Sequence, residues 1–173
     1  MPLKTPEQYV ESLRALRLRA YINGERVDSV VDSPMVAPHI NTVAKTYALD
    51  AMNATYAITY EVDQARGTDY HQRFRKYLGY VQEQDLMIAG AMTDPKGHRS
   101  QRPSEQADPD QFVRVVERRS DGVVIRGAKL HNTGGINSHE ILVLPGTGLG
   151  KGEEDWAIAC AIPADAEGVT FIF

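Results

Sequence analysis

The sequence predicts an α+β fold, with helices gathered in its first half and strands in its second. Three observations carry this. Apolar residues recur at helical spacing in windows up to Gln84. After Asp85 they fall instead into short runs separated by Pro, Gly, Asp and Ser. The two patterns do not alternate, as βαβ units would require. The expected organisation is an N-terminal helical part over 1–84, carrying one short hairpin, followed by an antiparallel β-domain over 85–173.

The elements follow in order. Thr5 supplies a hydroxyl for a helix N-cap, Pro6 suits the first helical position, and Gln8 stands where a capping box wants Glu or Gln. Tyr9, Val10, Leu13 and Leu16 then predict a helix over 6–18. Asn23-Gly24, between two short β-prone runs, reads as a tight hairpin. The segment 33–38 is turn-rich and expected to be extended. Val43, Tyr47, Ala51, Ala54, Ile58 and Val62 form a helical stripe over 41–65 that Gly67 can end. Tyr70, Phe74, Tyr77, Leu78 and Val81 form another over 68–84, which Gly79 weakens. Strands are predicted at 86–92, 111–118, 122–128, 140–144, 155–162 and 169–173, with Asp121-Gly122 as a hairpin turn. The last of these stops in an apolar run, Phe171-Ile172-Phe173, without a polar tail. Such an edge is expected of a fragment, or of a chain whose partner supplies the rest.

Composition narrows the function classes. With 42% hydrophobic and 24% charged residues in 173, the chain can build an ordinary core. Nineteen Lys and Arg against 23 Asp and Glu give a net charge of −4, the wrong sign for a general nucleic-acid binder. The single cysteine, Cys160, can form no internal disulfide and cannot by itself hold zinc or an iron–sulfur group. A reducing cytoplasm is the expected location. No run of about 18 apolar residues predicts a membrane helix, and residues 1–5 lack the apolar core of a signal peptide.

Several stretches invite a chemical reading. Residues 145–152, Pro-Gly-Thr-Gly-Leu-Gly-Lys-Gly, resemble a phosphate loop, but the glycine spacing is short and Gly152 replaces the Ser or Thr after the lysine. A flexible hairpin loop is the better reading. Asn53-Ala54-Thr55 matches a glycosylation acceptor inside a predicted helix and is discounted. Residues 92–99 hold Met92, Thr93, Asp94, Pro95, Lys96, Gly97, His98 and Arg99 after a strand. Lys96 and Arg99 suit an anionic group, and Thr93 with backbone N–H groups suits ring heteroatoms. On composition alone a ligand loop and a solvated turn are equal readings. Residues 131–140 form a second polar connection in which two glycines permit close backbone approach to a flat ligand. His131 and His139 suit acid–base work, and the bland alternative is a polar loop with Asx and Ser turns. Without a third ligand the two histidines make no metal site, and Cys160, in an apolar run, reads as an inert core residue.

Taken together the motifs resemble one family. They are Thr59-Tyr60-Glu61-Val62-Asp63, Gly67-Thr68-Asp69-Tyr70-His71, Gly90-Ala91-Met92-Thr93-Asp94-Pro95-Lys96-Gly97, Ala107-Asp108-Pro109-Asp110, Val115-Val116-Glu117-Arg118, Arg126-Gly127-Ala128-Lys129 and Asn137-Ser138-His139-Glu140. The chain is similar along nearly its whole length to the flavin enzymes that group 4-hydroxyphenylacetate 3-monooxygenases with 4-hydroxybutyryl-CoA dehydratase/vinylacetyl-CoA isomerase. The Met-Thr-Asp-x-Lys-Gly and Asn-Ser-His-Glu elements resemble the dehydratase branch more closely. The resemblance implies a flavoprotein of acyl-CoA-dehydrogenase-like fold, here truncated, assembled as a homo-oligomer, with FAD against the β-domain. Carried over by position, Met92 to Arg99 form one wall of the flavin site, and Leu130, His131, Asn132 and Thr133 form the other. His98 stands where relatives usually have Asp, and Asn132 where Gln is common. His131 is the candidate to hydrogen-bond flavin or substrate, and no catalytic residue is assigned.

Two departures stand out against the family pattern. Relatives carry a long helical insert where this chain runs from Thr46-Tyr47-Ala48-Leu49-Asp50 straight into Ala51-Met52-Asn53. In the dehydratases that insert bears two iron–sulfur cysteines, and in the monooxygenases it helps bind the aromatic substrate. Relatives also continue beyond residue 173 into the rest of the β-domain and a helical bundle. The expected function is the FAD-binding portion of a dehydratase acting on a hydroxyacyl-CoA. The alternatives are an oxidoreductase using reduced FAD to hydroxylate a phenolic acid, and a non-catalytic remnant that binds only flavin or a partner subunit.

Overall fold

The computed structural model describes residues 4–38, 40, 50–132 and 134–173. The chain divides into two units, Met1–Leu16 with Ser29–Met87, and Arg17–Asp28 with Ile88–Phe173.

In the first unit, helix α1 spans Pro6–Arg14. Its capping box is complete: the Gln8 N–H donates to Thr5 Oγ1 at 3.2 Å, and the Thr5 N–H donates to Gln8 Oε1 at 2.9 Å. Tyr9 and Leu13, one turn apart, are its buried face. It ends at Arg14, short of the expected residue 18, with Ala15 as its C-cap bonded to Glu11 O. The segment after Asp28 is not extended. Ala37 N–H bonds to Ser33 O at 2.8 Å and Ile40 N–H to Val36 O at 3.1 Å, a helical turn. Ser33-Pro34 is a cap followed by an N1 proline, and the turn buries Val36 and Ile40, with Val30 and Val31 buried just before it.

Helix α2 spans Asp50–Arg66 and α3 spans Tyr70–Gln84. The part of the first predicted helix over 41–49 lies outside the described residues. Asp69 makes no side-chain cap for α3. Asp63, from α2, caps it instead, accepting the Tyr70 and His71 N–H groups at 2.9 and 2.8 Å and the Thr68 hydroxyl at 2.5 Å. Asp85 closes α3 in the left-handed region at φ 47°. It is pinned there by Lys4, whose N–H reaches Asp85 Oδ2 at 2.5 Å and whose ammonium reaches its carbonyl at 2.7 Å.

The second unit holds β1 (Ala20–Ile22), β2 (Glu25–Val27), β3 (Ile88–Ala91), β4 (Arg114–Arg119), β5 (Gly122–Arg126), β6 (Glu140–Val143), β7 (Cys160–Pro163) and β8 (Phe171–Ile172). They form small sheets in the orders β2-β1-β8, β3-β6-β7 and β4-β5. The antiparallel expectation therefore needs correction. The pairs β1–β2, β4–β5 and β6–β7 are antiparallel, whereas β1–β8 and β3–β6 are parallel. Strand runs read from sequence carry no partner direction. Parallel pairing needs a long crossover, and the chain between β3 and β6 provides one.

The hairpin β1–β2 turns at Asn23 (φ 52°) and Gly24 (φ 84°), where a tight hairpin needs positive φ. Read in the sequence with residues 1–84, it groups with the strand-rich unit. The cause is β8: Phe171 N–H bonds to Arg19 O and Phe173 N–H to Tyr21 O, each at 2.8 Å. The apolar run at 171–173 thus has one paired edge. At the other predicted hairpin the linking residues are Ser120 and Asp121, and Gly122 already opens β5 opposite Arg119. Ala89, Ala91, Ile141 and Val143 of β3 and β6 are buried, together with Val115, Ile136 and Ala164.

Candidate functional site

Strands β3 and β6 run side by side, with Ala91 opposite Val143, so the chain leaves both at the same end. Leu144 N–H continues the ladder to Ala91 O at 3.1 Å. The segment that follows β5 passes alongside: Leu130 N–H bonds to Thr93 O at 2.8 Å. The two stretches expected to form the walls of one site therefore meet backbone to backbone. Met92 and Leu130, one from each, expose 57% and 41% of their surfaces, high for large apolar side chains.

Beneath them lies a charged pair. Lys129 donates to Asp94 Oδ1 at 2.5 Å, Leu144 O at 2.6 Å and Met92 O at 3.1 Å. Asp94 Oδ2 accepts the Gly146 N–H at 3.2 Å. Both side chains of the pair are only 9% exposed. Asp94, read as a loop residue available to a ligand, thus has its carboxylate engaged inside the protein. The cleft behind it, bounded by Phe112, Leu144, Leu149 and Trp156, has a volume of about 10 Å³, room for about one water molecule. A larger space, about 430 Å³ bounded by Tyr56, Tyr60, Glu61 and His71, lies in the first unit.

The rest of the first loop is held by Gln106. Its side chain accepts the His98 N–H at 2.9 Å and donates to His98 O and Gln101 O at 3.0 and 3.1 Å. Gly97 sits at φ 43°, and an added Cβ there would run into the Gln106 and Gln111 side chains. Lys96 and Arg99 are exposed. Pro95 is half-buried, and His98 Nδ1 contacts Ser100 Oγ at 3.0 Å. In the second stretch His131 adopts φ 51°, a left-handed conformation seldom taken by side chains other than Gly, Asn, Asp and His. The Asn132 side-chain oxygen is buried without a hydrogen-bond partner among the described residues. Thr133 lies outside the described residues. His139 is buried, and His131 is exposed.

The glycine-rich stretch is no phosphate loop. A 3-10 turn, Glu154–Trp156, follows it rather than a helix. Gly150 N–H is taken at 2.8 Å by Glu153. Glu153 also receives Arg102 Nε and Nη2 at 3.1 and 2.5 Å, and the Ser104 N–H and hydroxyl at 3.4 and 3.2 Å. The Arg102 guanidinium first, then the Gly150 N–H, hold its carboxyl down at about 2 against the opposing effect of burial, with Ser104 assisting.

Lys129 closes the Arg126-Gly127-Ala128-Lys129 motif without a role assigned to it there, and Glu153 lies in none of the quoted motifs; their partners Asp94 and Arg102 stand 35 and 51 residues away. In the first unit, His71 Nδ1 contacts Thr59 Oγ1 at 3.2 Å, and Tyr56 and Tyr60 meet its ring edge-on at 4.6 and 5.5 Å. Tyr56 and Tyr60 stand one turn apart on α2, a spacing that places them on one face. Cys160 is half-buried, and burial pushes its thiol up. Among the described residues no group of three or more His, Cys, Asp or Glu could hold a metal ion. Nor is any helix there long and apolar enough to cross a membrane.

Comparison with known proteins gives one consistent picture. The family model described as 4-hydroxyphenylacetate 3-hydroxylase N terminal matches residues 5–52 and 48–173. The 4-hydroxybutyryl-CoA dehydratase/vinylacetyl-CoA-Delta-isomerase of Clostridium aminobutyricum is 40% identical over 229 aligned positions, covering 99% of this chain and 47% of that protein. The 4-hydroxyphenylacetate 3-monooxygenase oxygenase component of Geobacillus sp. (strain PA-9) is 26% identical, covering 99% and 47%. Among solved structures, an oxygen-tolerant archaeal 4-hydroxybutyryl-CoA dehydratase from N. maritimus aligns with a TM-score of 0.93 at 39% identity, over 99% of this chain and 45% of that one. A mutant of HpaB complexed with FAD shares the fold, with a TM-score of 0.81 at 21% identity over 98% and 46%. The chain spans about half the length of the curated relatives it matches. The two family matches meet at 48–52, where the sequence lacks the insert expected of relatives, and the 229 aligned positions exceed the 173 residues present.

Proposed function

Because the chain belongs to the 4-hydroxyphenylacetate 3-hydroxylase N-terminal family, we propose that its second unit is the FAD-facing part of a flavin-dependent enzyme that removes water from a hydroxyacyl-CoA. The observation that carries this is the Thr93–Leu130 junction, which joins the two expected walls and sets exposed Met92 and Leu130 beside polar neighbours. The choice of reaction rests on the relatives, at 40% identity to the dehydratase against 26% to the monooxygenase. In this reading the chain is part of an acyl-CoA-dehydrogenase-like, cytoplasmic homo-oligomer.

The residues present fit such a cofactor. A flavin ring is flat, apolar on its faces and polar along one edge. Met92 and Leu130 offer apolar contact to its faces. Exposed Lys96 and Arg99 suit its phosphates. His131, exposed and in the left-handed region, supplies a hydrogen-bonding ring to flavin or substrate. When bound, FAD supplies the electron-transfer chemistry, and these residues bind and orient it. Among the described residues there is one half-buried thiol and no group of three metal-ligating side chains, so no cluster ligand is assigned to them.

A titration of the full chain with FAD, followed by flavin fluorescence and visible absorbance, tests the reading. Saturable binding that weakens in His131→Ala is expected. A folded wild-type chain that leaves the flavin signal unchanged overturns it. Product analysis with a hydroxybutyryl thioester, and with a phenolic acid plus reduced flavin and O₂, then separates dehydratase from hydroxylase.

A further inference from the structure

The surface assigned to FAD is built on a side chain that does not belong to it. Lys129 carries three N–H donors, and all are used: on Met92 O, on Asp94 Oδ1 and on Leu144 O. These acceptors come from two different chain segments, one leaving β3 and one leaving β6. The residue after Lys129 is Leu130, whose N–H takes the Thr93 carbonyl. A single ammonium therefore fixes the backbone of Met92 from below, while the adjoining peptide fixes Thr93 from the side. Asp94 neutralises that ammonium and, through its second oxygen, also holds the Gly146 N–H. At 9% exposure neither charged group reaches a ligand lying on the open side. The exposed cations of the same loop, Lys96 and Arg99, form no ion pair among the described residues and remain available to one.

We propose that Lys129 is a positioning residue of the flavin surface, with Asp94 as its counter-ion: the pair sets Met92–Thr93 against Leu130–Asn132, and FAD affinity depends on it. This rests on the flavin reading of that surface. The ammonium is a compact tetrahedral donor at the end of a flexible stem, and its three bonds converge on one nitrogen. A guanidinium spreads its donors over a flat, longer fork, so an arginine has to redirect these bonds. Arginine therefore preserves the charge and loses the alignment, which separates positioning from electrostatic support.

The test compares wild type, Lys129→Arg and the double variant Lys129→Met/Asp94→Leu, each as the full chain. Circular dichroism and thermal unfolding report the fold. FAD titration and the visible spectrum of bound flavin report the site. The double variant replaces a buried pair with apolar groups, an exchange that proteins tolerate, so it keeps a folded chain under study if a single variant unfolds. The expected result is a folded chain whose FAD affinity falls by about tenfold or more, by analogy with the loss of a side chain that orients a metal ligand, with a bound-flavin spectrum nearer that of free FAD. Folded variants that bind FAD as tightly as wild type, with the same spectrum, overturn the role of Lys129 and leave the flavin reading standing. A folded wild type that does not bind FAD overturns the flavin reading and this role with it. Unfolding of both variants overturns positioning in favour of a purely structural pair.

Discussion

Two acidic side chains organise the loops of the second unit, and their settings differ. Asp94 faces Lys129 with both partners almost wholly buried. Glu153 is 2% exposed, but its partner Arg102 is 51% exposed. In the first pair each charge depends chiefly on the other, since each side chain keeps only 9% of its surface exposed. In the second only the carboxylate is captive, and the guanidinium can hydrate where it stands. The lesson is that a close ion pair is not one kind of object. What it contributes is decided by which partner is left stranded when the other goes.

The largest effect is therefore expected at the symmetric pair. Lys129→Met leaves the Asp94 carboxylate buried without its cation and should lower stability by ~3–5 kcal/mol in urea unfolding at neutral pH. A loss within the range of an exposed pair, under about 1 kcal/mol, would erase the contrast. Next in size comes the asymmetry at Glu153. Arg102→Met strands a carboxylate among the Gly150 and Ser104 donors, whereas Glu153→Gln keeps an acceptor in place and frees a guanidinium that is already half in water. Arg102→Met should lower Tm more than Glu153→Gln, and equal shifts would show that both partners are captive after all.

Neither clamp was legible in the sequence, and the reason is sequence distance. Thr5, Pro6 and Gln8 announce α1 because a helix cap is a local contract among neighbours, and the structure honours each bond. Asn23-Gly24 announces its hairpin for the same reason. Ser33-Pro34 is an equally local signal, but its neighbours Asp32 and Pro38 read as turn residues too, and composition does not separate an extended turn cluster from the helical turn that the Ala37–Ser33 bond closes. Strand runs fall close to their places except the run at 155–162, where a 3-10 turn occupies Glu154–Trp156 and β7 begins only at Cys160; the parallel neighbours of β1 and β3 are not readable, because alternation and apolarity describe faces and say nothing of partners. Composition marks the loops at 92–99 and 131–140, only the resemblance narrows the second to 130–133, and the structure joins Thr93 to Leu130 through one backbone bond. Asp94 looked like a free loop charge because Lys129, its partner, stands 35 residues on. Glu153 likewise meets Arg102 across 51 residues.

Acid sharpens the comparison in a smaller way. The Glu153 carboxyl ordinarily titrates at 4.5 and is held at about 2 in the fold. The unfolded chain therefore takes up its proton first as pH falls. The stabilisation is complete above 4.5 and is lost as pH drops toward 2. Unfolding curves across that window should show wild type losing stability more steeply than Glu153→Gln, which has no proton to take up there. Parallel slopes would mean that the carboxyl titrates alike in both states.

The smallest change expected at this clamp is Ser104→Ala. It removes one of five donors on Glu153 and leaves both guanidinium bonds, the Gly150 N–H and the Ser104 backbone N–H in place. The hydroxyl contact is also long, at 3.2 Å. The carboxylate stays paired, so no charge is stranded, and Tm should move less than in either Glu153→Gln or Arg102→Met. A shift as large as that of Arg102→Met would place the weight of the clamp on Ser104 and end the claim that Glu153 is held chiefly by its cation.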